Sequence, residues 1–270
     1  MTTVAVIQAR HTSSRLPGKM ILPLAGVPVI AHPVQRIRAV AGIDRICVTI
    51  PEGDAQAPLV EVVERLDGVY LSRGPEEHLL TRFVIAARET KADTVIRLWG
   101  DCPAVDPALV KFTMNAFTKE KPDWAYLNDQ SGWPLGSECQ VLPRELLEIA
   151  AVEVSGEGDL EAVHTWFDRN PNRFRKLSVR RPGGTGQHPI EILLDTPADY
   201  AKLCKIFERL YPRNPLFGME EIEVINPTVE TLKAKQMNVD GPWPSDTVFL
   251  KAKADASRNC PPPTLSQSRS

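Results

Sequence analysis

Residues 4–19 of the chain read VAVIQARHTSSRLPGK. The run from Val4 to Ile7 is short, fully apolar and rich in β-branched residues, which is typical of a parallel strand that is buried on both faces. The residues after it are polar and basic and carry a Pro-Gly pair, which predicts a loop from Ala9 to Gly18. The opening therefore predicts a central strand that leads directly into a basic loop.

The first half of the chain continues as an alternation of strands and helices. Apolar runs predict strands at 43–50, 69–71 and 94–98, and helical spacing of apolar residues predicts helices at 28–40, 55–66, 76–90 and 107–119. Pro33 is expected to end or kink the first turn of its helix. This alternation favours an α/β sandwich with a mostly parallel sheet, wound in the right-handed sense.

The alternation becomes looser after about residue 122. Strands are predicted at 124–127, 138–142, 174–179 and 190–194, and helices at 143–152, 159–169, 197–210 and 228–237. No linker divides the chain, so we expect one domain over 1–254 with a peripheral segment at 211–254. Residues 255–270 are rich in Ser and Pro, and we expect them to form a disordered tail.

The composition is that of an ordinary globular protein. The 270 residues are 43% hydrophobic and 24% charged, with a net charge of −2. A pI near 6.2 argues against a dedicated nucleic-acid binder, and no apolar run approaches the roughly 20 residues of a membrane span. The N-terminus does not resemble a signal peptide, and the five cysteines form no C-x-x-C pair, so we expect reduced thiols in a cytoplasmic protein.

The loop after the first strand carries three cations within ten residues. Ligands of open α/β sheets bind beyond the carboxyl ends of the strands, and Arg and Lys side chains suit phosphate groups. The loop therefore predicts a nucleoside triphosphate site, although it is neither a Walker A sequence nor a G-x-G-x-x-G sequence. The nucleotide-binding candidates in it are Gln8, Ala9, Arg10, Ser13, Arg15 and Lys19. The alternative is a solvated basic loop.

Two aspartates follow predicted strands at distant positions of the chain. Asp101 stands in the sequence Gly-Asp-Cys-Pro, and Asp195 in Leu-Asp-Thr-Pro. Mg²⁺ binds carboxylate oxygens together with substrate phosphates, so both are candidate metal ligands. The alternative is a turn or a helix cap, which is the role we expect for Asp106 and Asp199 at two helix starts.

Taken together, these motifs resemble the cytidylyltransferases related to CMP-Kdo synthetase and CMP-acylneuraminate synthetase, in particular the branch of spore coat polysaccharide biosynthesis protein F. The matching segments are IQAR at 7–10, SSRLPGK at 13–19, LSRGPEEHLLTRF at 71–83, IRLWGDCPAVDPALV at 96–110, DLEAVHTWF at 159–167 and LLDTPADY at 193–200. The resemblance covers about residues 3–210.

The resemblance implies a GT-A-like, Rossmannoid nucleotidyltransferase fold. It also implies transfer of CMP from CTP to an acidic sugar or related small molecule, with Mg²⁺ as cofactor and release of pyrophosphate. Arg10, Arg15, Lys19 and Asp101 would then be catalytic, and Asp101 and Asp195 would hold the metal. By analogy with the family we expect a homodimer, and we expect no nucleic-acid or membrane partner.

Further site residues are less directly indicated. The resemblance implies that Arg82 lies near the nucleotide and that Glu161 and His164 lie near the acceptor. In this architecture an acceptor pocket would form around loop 126–137, so Asn128 and Glu138 are further acceptor-binding candidates.

Two other classes of function stay open. A nucleotide-sugar-dependent glycosyltransferase on the same fold would use a metal-binding D-x-D motif, and no clear one follows a predicted strand. A non-catalytic nucleotide-binding homologue would have no physical need to keep all five charged residues of the proposed site.

Overall fold

A computed structural model describes residues 1–128, 130–154, 163–184 and 186–225, and a seven-stranded sheet lies at the centre of this part. Its strands in chain order are β1 (Thr3–Gln8), β4 (Arg45–Pro51), β5 (Val69–Gly74), β6 (Thr94–Trp99), β7 (Trp124–Leu127), β8 (Cys139–Pro143) and β9 (Lys176–Ser178), and the short strands β2 (Pro23–Leu24) and β3 (Val27–Pro28) form a separate hairpin. The spatial order is β5-β4-β1-β6-β8-β7-β9. Only β8 runs antiparallel to its neighbours.

Helices cover both faces of this sheet. They are α1 (Ala31–Arg38), α2 (Ala57–Glu64), α3 (Leu79–Glu89), α4 (Pro107–Glu120), α5 (Arg144–Glu153), α6 (Thr165–Arg169), α7 (Pro197–Leu210) and α8 (Met219–Ile225). One apolar core joins the sheet to α1, α2, α4 and α7, and a second core joins it to α3, α5 and α6. The predicted α/β sandwich with a mostly parallel sheet is confirmed. None of the helices described is long and apolar enough to cross a membrane.

Strand β1 shows why the opening residues decide the fold. Val4 and Val6 belong to the core on the α3 side, and Ala5 and Ile7 belong to the core on the α1 side. All four side chains are fully buried. An apolar residue is therefore needed at each of the four central positions of β1, which distinguishes this strand from an edge strand with one polar face.

Two predicted elements are corrected by the structure. The helix predicted over 28–40 begins only at Ala31, because Val27–Pro28 pairs with the strand before it, and Pro33 lies within the first helical turn. The strand predicted over 190–194 is wrong. Its backbone instead bonds to loops, since Ile192 N donates to Leu135 O at 2.7 Å and Leu194 N donates to Asp101 O at 2.8 Å.

Other boundaries shift or lie outside the described part. The predicted helix 159–169 is described only from Thr165 to Arg169. The helix predicted at 228–237 and the tail predicted at 255–270 lie outside the described residues.

The expected helix caps are confirmed. The Asp106 carboxylate accepts a hydrogen bond from Ala108 N at 2.7 Å and caps α4. At the start of α7, the Thr196 hydroxyl accepts from Asp199 N at 3.2 Å, and the Asp199 carboxylate accepts from Thr196 N at 2.9 Å. Burial raises the pKa of Asp199, but the hydrogen bonds from Thr196 outweigh it and hold this pKa below its usual value. The carboxylates of Asp106 and Asp199 thus act as helix caps.

Candidate active site

The basic loop leaves the carboxyl end of β1 and is tied to its surroundings along its length. Gly18 adopts φ +69°, a left-handed conformation that favours glycine, and its N–H closes the loop on His11 O at 3.1 Å. His11 N donates to Gln56 Oε1 at 2.6 Å, and the Thr12 hydroxyl donates to Glu76 Oε1 at 2.8 Å. These contacts hold the loop in one conformation over the end of the sheet.

Lys19 lies at the centre of the site. Its side chain is almost fully buried, and Nζ lies 2.8 Å from Asp101 Oδ2 and 3.4 Å from Asp195 Oδ1. Nζ also donates to Leu194 O at 2.9 Å. Arg15 Nη1 reaches the other oxygen of Asp195 at 2.6 Å. Two cations of the first loop are therefore paired with both candidate metal ligands, which lie more than 80 residues further along the chain.

Backbone contacts explain why the two aspartates meet. Gly100 N donates to Gln8 O at 2.8 Å, and a Cβ at Gly100 would stand only 2.9 Å from that same oxygen. Only glycine permits this approach, which places Asp101 directly beside the end of β1. The bond from Leu194 N to Asp101 O then places Asp195 next to Asp101.

These residues line a cavity of about 680 Å³ at the carboxyl end of the parallel strands. The lining residues are Gln8, Ala9, Arg10, Ser13, Ser14, Arg15, Lys19, Met20, Glu76, Glu77, Leu79, Arg82, Asp101 and Asp195. Every nucleotide-binding and metal-binding candidate from the sequence is among them. Four cationic and four acidic side chains face this cavity, so their formal charges cancel.

Arg82 projects from the first turn of α3 into this cavity. Only 6% of the residue is exposed, yet its Nε and Nη1 atoms have no hydrogen-bond partner among the residues that the structure describes. Burial and the nearby Arg10 lower its pKa to about 10, against an opposing effect of Glu76, so the guanidinium is charged at neutral pH. Buried charged donors without acceptors are costly. The arrangement therefore suits an anion bound in the cavity.

The three acceptor-binding candidates that the structure describes do not line this cavity. Asn128 caps its own turn, and Glu138 is buried and accepts from the backbone of its own loop. His164 Nδ1 lies 3.4 Å from Arg97 Nη1, on the α3 side of the sheet. Glu161 lies outside the described residues. Their role at an acceptor site stays a prediction.

The two aspartates offer an incomplete ligand set for a metal. Within the described ranges, no group of three or more His, Cys, Asp or Glu side chains is arranged to hold an ion. Mg²⁺ is commonly bound by only one or two carboxylates together with substrate phosphates. Asp101 and Asp195, both facing the cavity, fit that pattern and would need a phosphate ligand to complete it.

Some residues around the site were not singled out from the sequence. Glu76 and Glu77 line the cavity, although the sequence placed them in the helix predicted over 76–90, which the structure begins only at Leu79. Arg97 belongs to one of the matching motifs and was not singled out as a site residue. A charged residue between Ile96 and Leu98 inside a buried strand is nevertheless unusual and could have indicated a functional position.

The chain belongs to the cytidylyltransferase family, because the sequence profile of that family matches residues 4–238. The protein is therefore a nucleotidyltransferase by family and fold. The match also extends past residue 210, where the resemblance seen in the motifs ends.

Individual relatives support this assignment. The chain is 28% identical over 225 residues to spore coat polysaccharide biosynthesis protein SpsF of Bacillus subtilis, covering 82% of this chain and 92% of SpsF. It is 34% identical over 188 residues to 3-deoxy-manno-octulosonate cytidylyltransferase of Anaeromyxobacter sp., covering 68% of each. A solved cytidylyltransferase from Leptospira borgpetersenii has the same fold, with a TM-score of 0.77, 22% identity, and coverage of 90% of this chain and 99% of that one.

Proposed function

We propose that the protein transfers CMP from CTP to an acidic sugar or a related small-molecule acceptor and releases pyrophosphate. An acceptor oxygen attacks the α-phosphorus in line. The new oxygen–phosphorus bond forms as the bond from the α-phosphorus to the bridging oxygen breaks, and that oxygen leaves with pyrophosphate. Because no covalent enzyme intermediate is needed, positioning and charge neutralisation supply the rate.

The observation that carries the proposal is the convergence of cations on one cavity. Arg10, Arg15, Lys19 and Arg82 all line it, and Arg82 already has buried donors without partners. In the proposed complex these side chains bind the polyphosphate and stabilise the leaving pyrophosphate. Loss of one such cation is expected to raise the barrier by about 2–4 kcal/mol.

The balanced charge of the cavity favours a divalent cation as cofactor. A bound triphosphate would add several negative charges to a lining whose own charges cancel. Mg²⁺, when bound, would neutralise phosphate charge and polarise the reacting phosphorus. Asp101 and Asp195 are the residues that would hold it. To do so they must exchange their present contacts with Lys19 and Arg15 for the metal, and the two released cations then face the phosphates.

A pyrophosphate-release assay tests the proposal. The protein is incubated with Mg²⁺ and each of the four ribonucleoside triphosphates, and with a panel of keto-deoxy sugar acids, other sugars, and phosphorylated and phosphonate compounds. Release with CTP and one acceptor class, together with a product heavier by one CMP unit, is the expected result. Release of a nucleoside diphosphate from a nucleotide sugar would instead identify a glycosyltransferase. No turnover despite nucleotide binding would identify a non-catalytic homologue.

Asp101→Asn gives the first residue-level check. The amide keeps the size of the side chain and removes the charge needed for the metal, so we expect pyrophosphate release to be abolished while the thermal unfolding temperature stays near that of the wild type. Asp168→Asn, at an exposed pair with Lys176, is the matched control and should keep full activity. Near-normal release by Asp101→Asn would refute the assigned metal ligand.

The cytoplasmic location and the homodimer remain predictions. A cytoplasmic location agrees with a CTP-dependent reaction, and sedimentation of the purified chain measures its oligomeric state directly.

A further inference from the structure

A further buried cation, Arg97, lies behind the cavity. Arg97 is in the middle of β6, and only 3% of it is exposed. No carboxylate of the described residues lies within ion-pair distance of its guanidinium. Burial lowers its pKa to about 10, which still leaves it charged at neutral pH. A full positive charge is therefore kept inside the protein with no carboxylate partner in the part of the chain that the structure describes, which is energetically costly.

Its partners include two glutamines on the strands at either side, and His164 Nδ1 lies 3.4 Å from Nη1. Arg97 Nε and Nη2 donate to Gln8 Oε1 at 3.0 and 2.9 Å, and Nη1 donates to Gln140 Oε1 at 3.0 Å. The guanidinium also stacks on Trp99, with its carbon 4.3 Å from the ring centroid. Arg97 thus bridges β1, β6 and β8.

This contact fixes which way each amide faces. A guanidinium carries only donors, so only the oxygen of a glutamine amide can point towards it. The NH₂ group of Gln8 must then point away from Arg97, and Gln8 is the one of the two glutamines that lines the cavity. Gln140 Nε2 is instead buried outside the cavity lining, and it has no hydrogen-bond partner within the described ranges.

We propose that Arg97 is a positioning residue that holds the Gln8 amide with its NH₂ group presented to the cavity, as a donor to an oxygen of the bound polyphosphate. Most oxygens of a polyphosphate are deprotonated at neutral pH and act as hydrogen-bond acceptors, so a freely flipping amide would present the wrong atom half of the time. The inference rests on the proposed function, because it requires the nucleotide to bind in this cavity.

The substitution Gln8→Glu changes the group that residue 8 presents to the cavity without removing its contact with Arg97. The new carboxylate keeps an oxygen for Arg97 and forms an ion pair with it, so the unfolding temperature should not fall. Its second oxygen replaces the donor and faces the phosphates. We expect the Kd for inorganic tripolyphosphate and for CTP, measured by calorimetry, to rise by about ten- to a hundredfold. Gln140→Glu makes the same chemical change beside Arg97 but outside the cavity, and should leave both Kd values within about threefold.

A double-mutant cycle tests whether Arg97 acts through Gln8. Arg97→Met should weaken tripolyphosphate binding in the wild-type background and add little in a Gln8→Ala background. A purely structural role would lower affinity equally in both backgrounds, and that result would overturn the proposal. If Arg97→Met does not fold, Gln8→Glu and its control decide alone.

Comparing CTP with tripolyphosphate shows which part of the proposal is wrong when binding does not change as expected. Weaker binding of CTP with unchanged binding of tripolyphosphate would place the Gln8 contact on the nucleoside and overturn the phosphate assignment. Unchanged binding of both by Gln8→Glu would also overturn it. A wild-type protein that binds neither ligand would instead contradict the proposed function itself.

Discussion

Lys19 is the residue on which most of the site depends. Its buried ammonium contacts both Asp101 and Asp195 and would face a bound phosphate as well. In the ligand-free protein it neutralises two carboxylates that would otherwise repel each other at close range. In the proposed reaction the same ammonium would oppose metal binding until a polyphosphate offered it another partner.

Lys19→Gln should increase the response of the ligand-free protein to divalent metal. Without the ammonium, the two neighbouring carboxylates repel each other, so a bound divalent cation stabilises the folded protein more than it does in the wild type. We therefore expect Mg²⁺ or Mn²⁺ to raise the unfolding temperature more in this variant. Differential scanning fluorimetry over a metal titration measures the shift.

Lys202→Gln is the matched control for that experiment. Lys202 is more exposed and pairs with Asp199 at the start of α7, outside the cavity lining. Its loss should leave the metal response as in the wild type. An identical metal response in Lys19→Gln and wild type would contradict the competition between ammonium and metal.

His32 is a polar residue that packs in the core and does not line the cavity. Its Nε2 lies 2.7 Å from Leu24 O, and its ring packs edge-on against Phe207 and Tyr211. Burial lowers its pKa to about 4, with a smaller lowering effect of Arg36 and an opposing effect of the Leu24 contact. His32 therefore has a structural role, since its neutral ring is part of the core.

This buried histidine predicts a pH-dependent stability. Between pH 6.5 and about 4 the unfolded chain binds a proton at His32 and the folded protein does not, so the free energy of unfolding falls as the pH falls through this range. The loss from this group is on the order of 3 kcal/mol.

Chemical denaturation at pH 7 and pH 4.5 measures that loss. His32→Gln should remove most of this slope, whereas His78→Gln, at the partly exposed start of α3, should retain it. An unchanged slope in His32→Gln would show that other groups cause it.

At the scale of elements, Asp106 joins two helices. One carboxylate oxygen accepts from Ala108 N at 2.7 Å and caps α4, and the other accepts from Met219 N at 2.8 Å at the start of α8. The sequence predicted the first contact from Asp106 before Pro107, because a cap is a local pattern. It gave no sign of the second, which spans 113 residues.

Asp106→Ala should therefore cost more than a single cap. We expect a loss of about 2–3 kcal/mol in the free energy of unfolding from urea titration, and about 1 kcal/mol for Asp106→Asn, whose one oxygen keeps one of the contacts. Asp93→Ala removes an exposed acceptor of Thr2 N and should cost less than about 1 kcal/mol. Equal losses for Asp106→Ala and Asp106→Asn would contradict the double contact.

The segment 190–194 shows where element prediction from a sequence stops. Its buried residues, Ile190, Ile192 and Leu194, do alternate in the sequence, and the structure confirms that they are buried. The prediction of a strand was wrong because an alternating apolar pattern indicates which residues are buried but does not specify their backbone hydrogen-bond partners. Here the partners are loops, including the backbone of Asp101.

At the scale of the whole molecule, the sheet topology assembles the site. The central strands β1 and β6 are parallel neighbours, so the loops after Gln8 and after Trp99 emerge side by side. The sequence predicted this arrangement because both loops follow apolar strands. The exact pairing of Lys19 with two aspartates could not be predicted, since it depends on the single close approach at Gly100 and on one backbone bond from Leu194.

The positions of the acceptor-binding candidates were harder to predict from the sequence than those of the cavity residues. Asn128, Glu138 and His164 lie on loops and strands whose side chains make contacts within the protein, outside the cavity that holds the cations. Loop positions carry no periodic pattern, so their direction in space cannot be read from spacing. This difference explains why the sequence predicted residues that line one cavity but did not locate an acceptor pocket.

A structure of the protein with CTP and Mg²⁺ tests the central claim most directly. We expect the triphosphate in the cavity between the first loop and α3, with Arg10, Arg15, Lys19 and Arg82 on its oxygens and the metal on Asp101 and Asp195. A nucleotide bound elsewhere, for example in the acidic pocket lined by Glu52, Glu61 and Arg73, with these side chains still paired to one another, would contradict the claim.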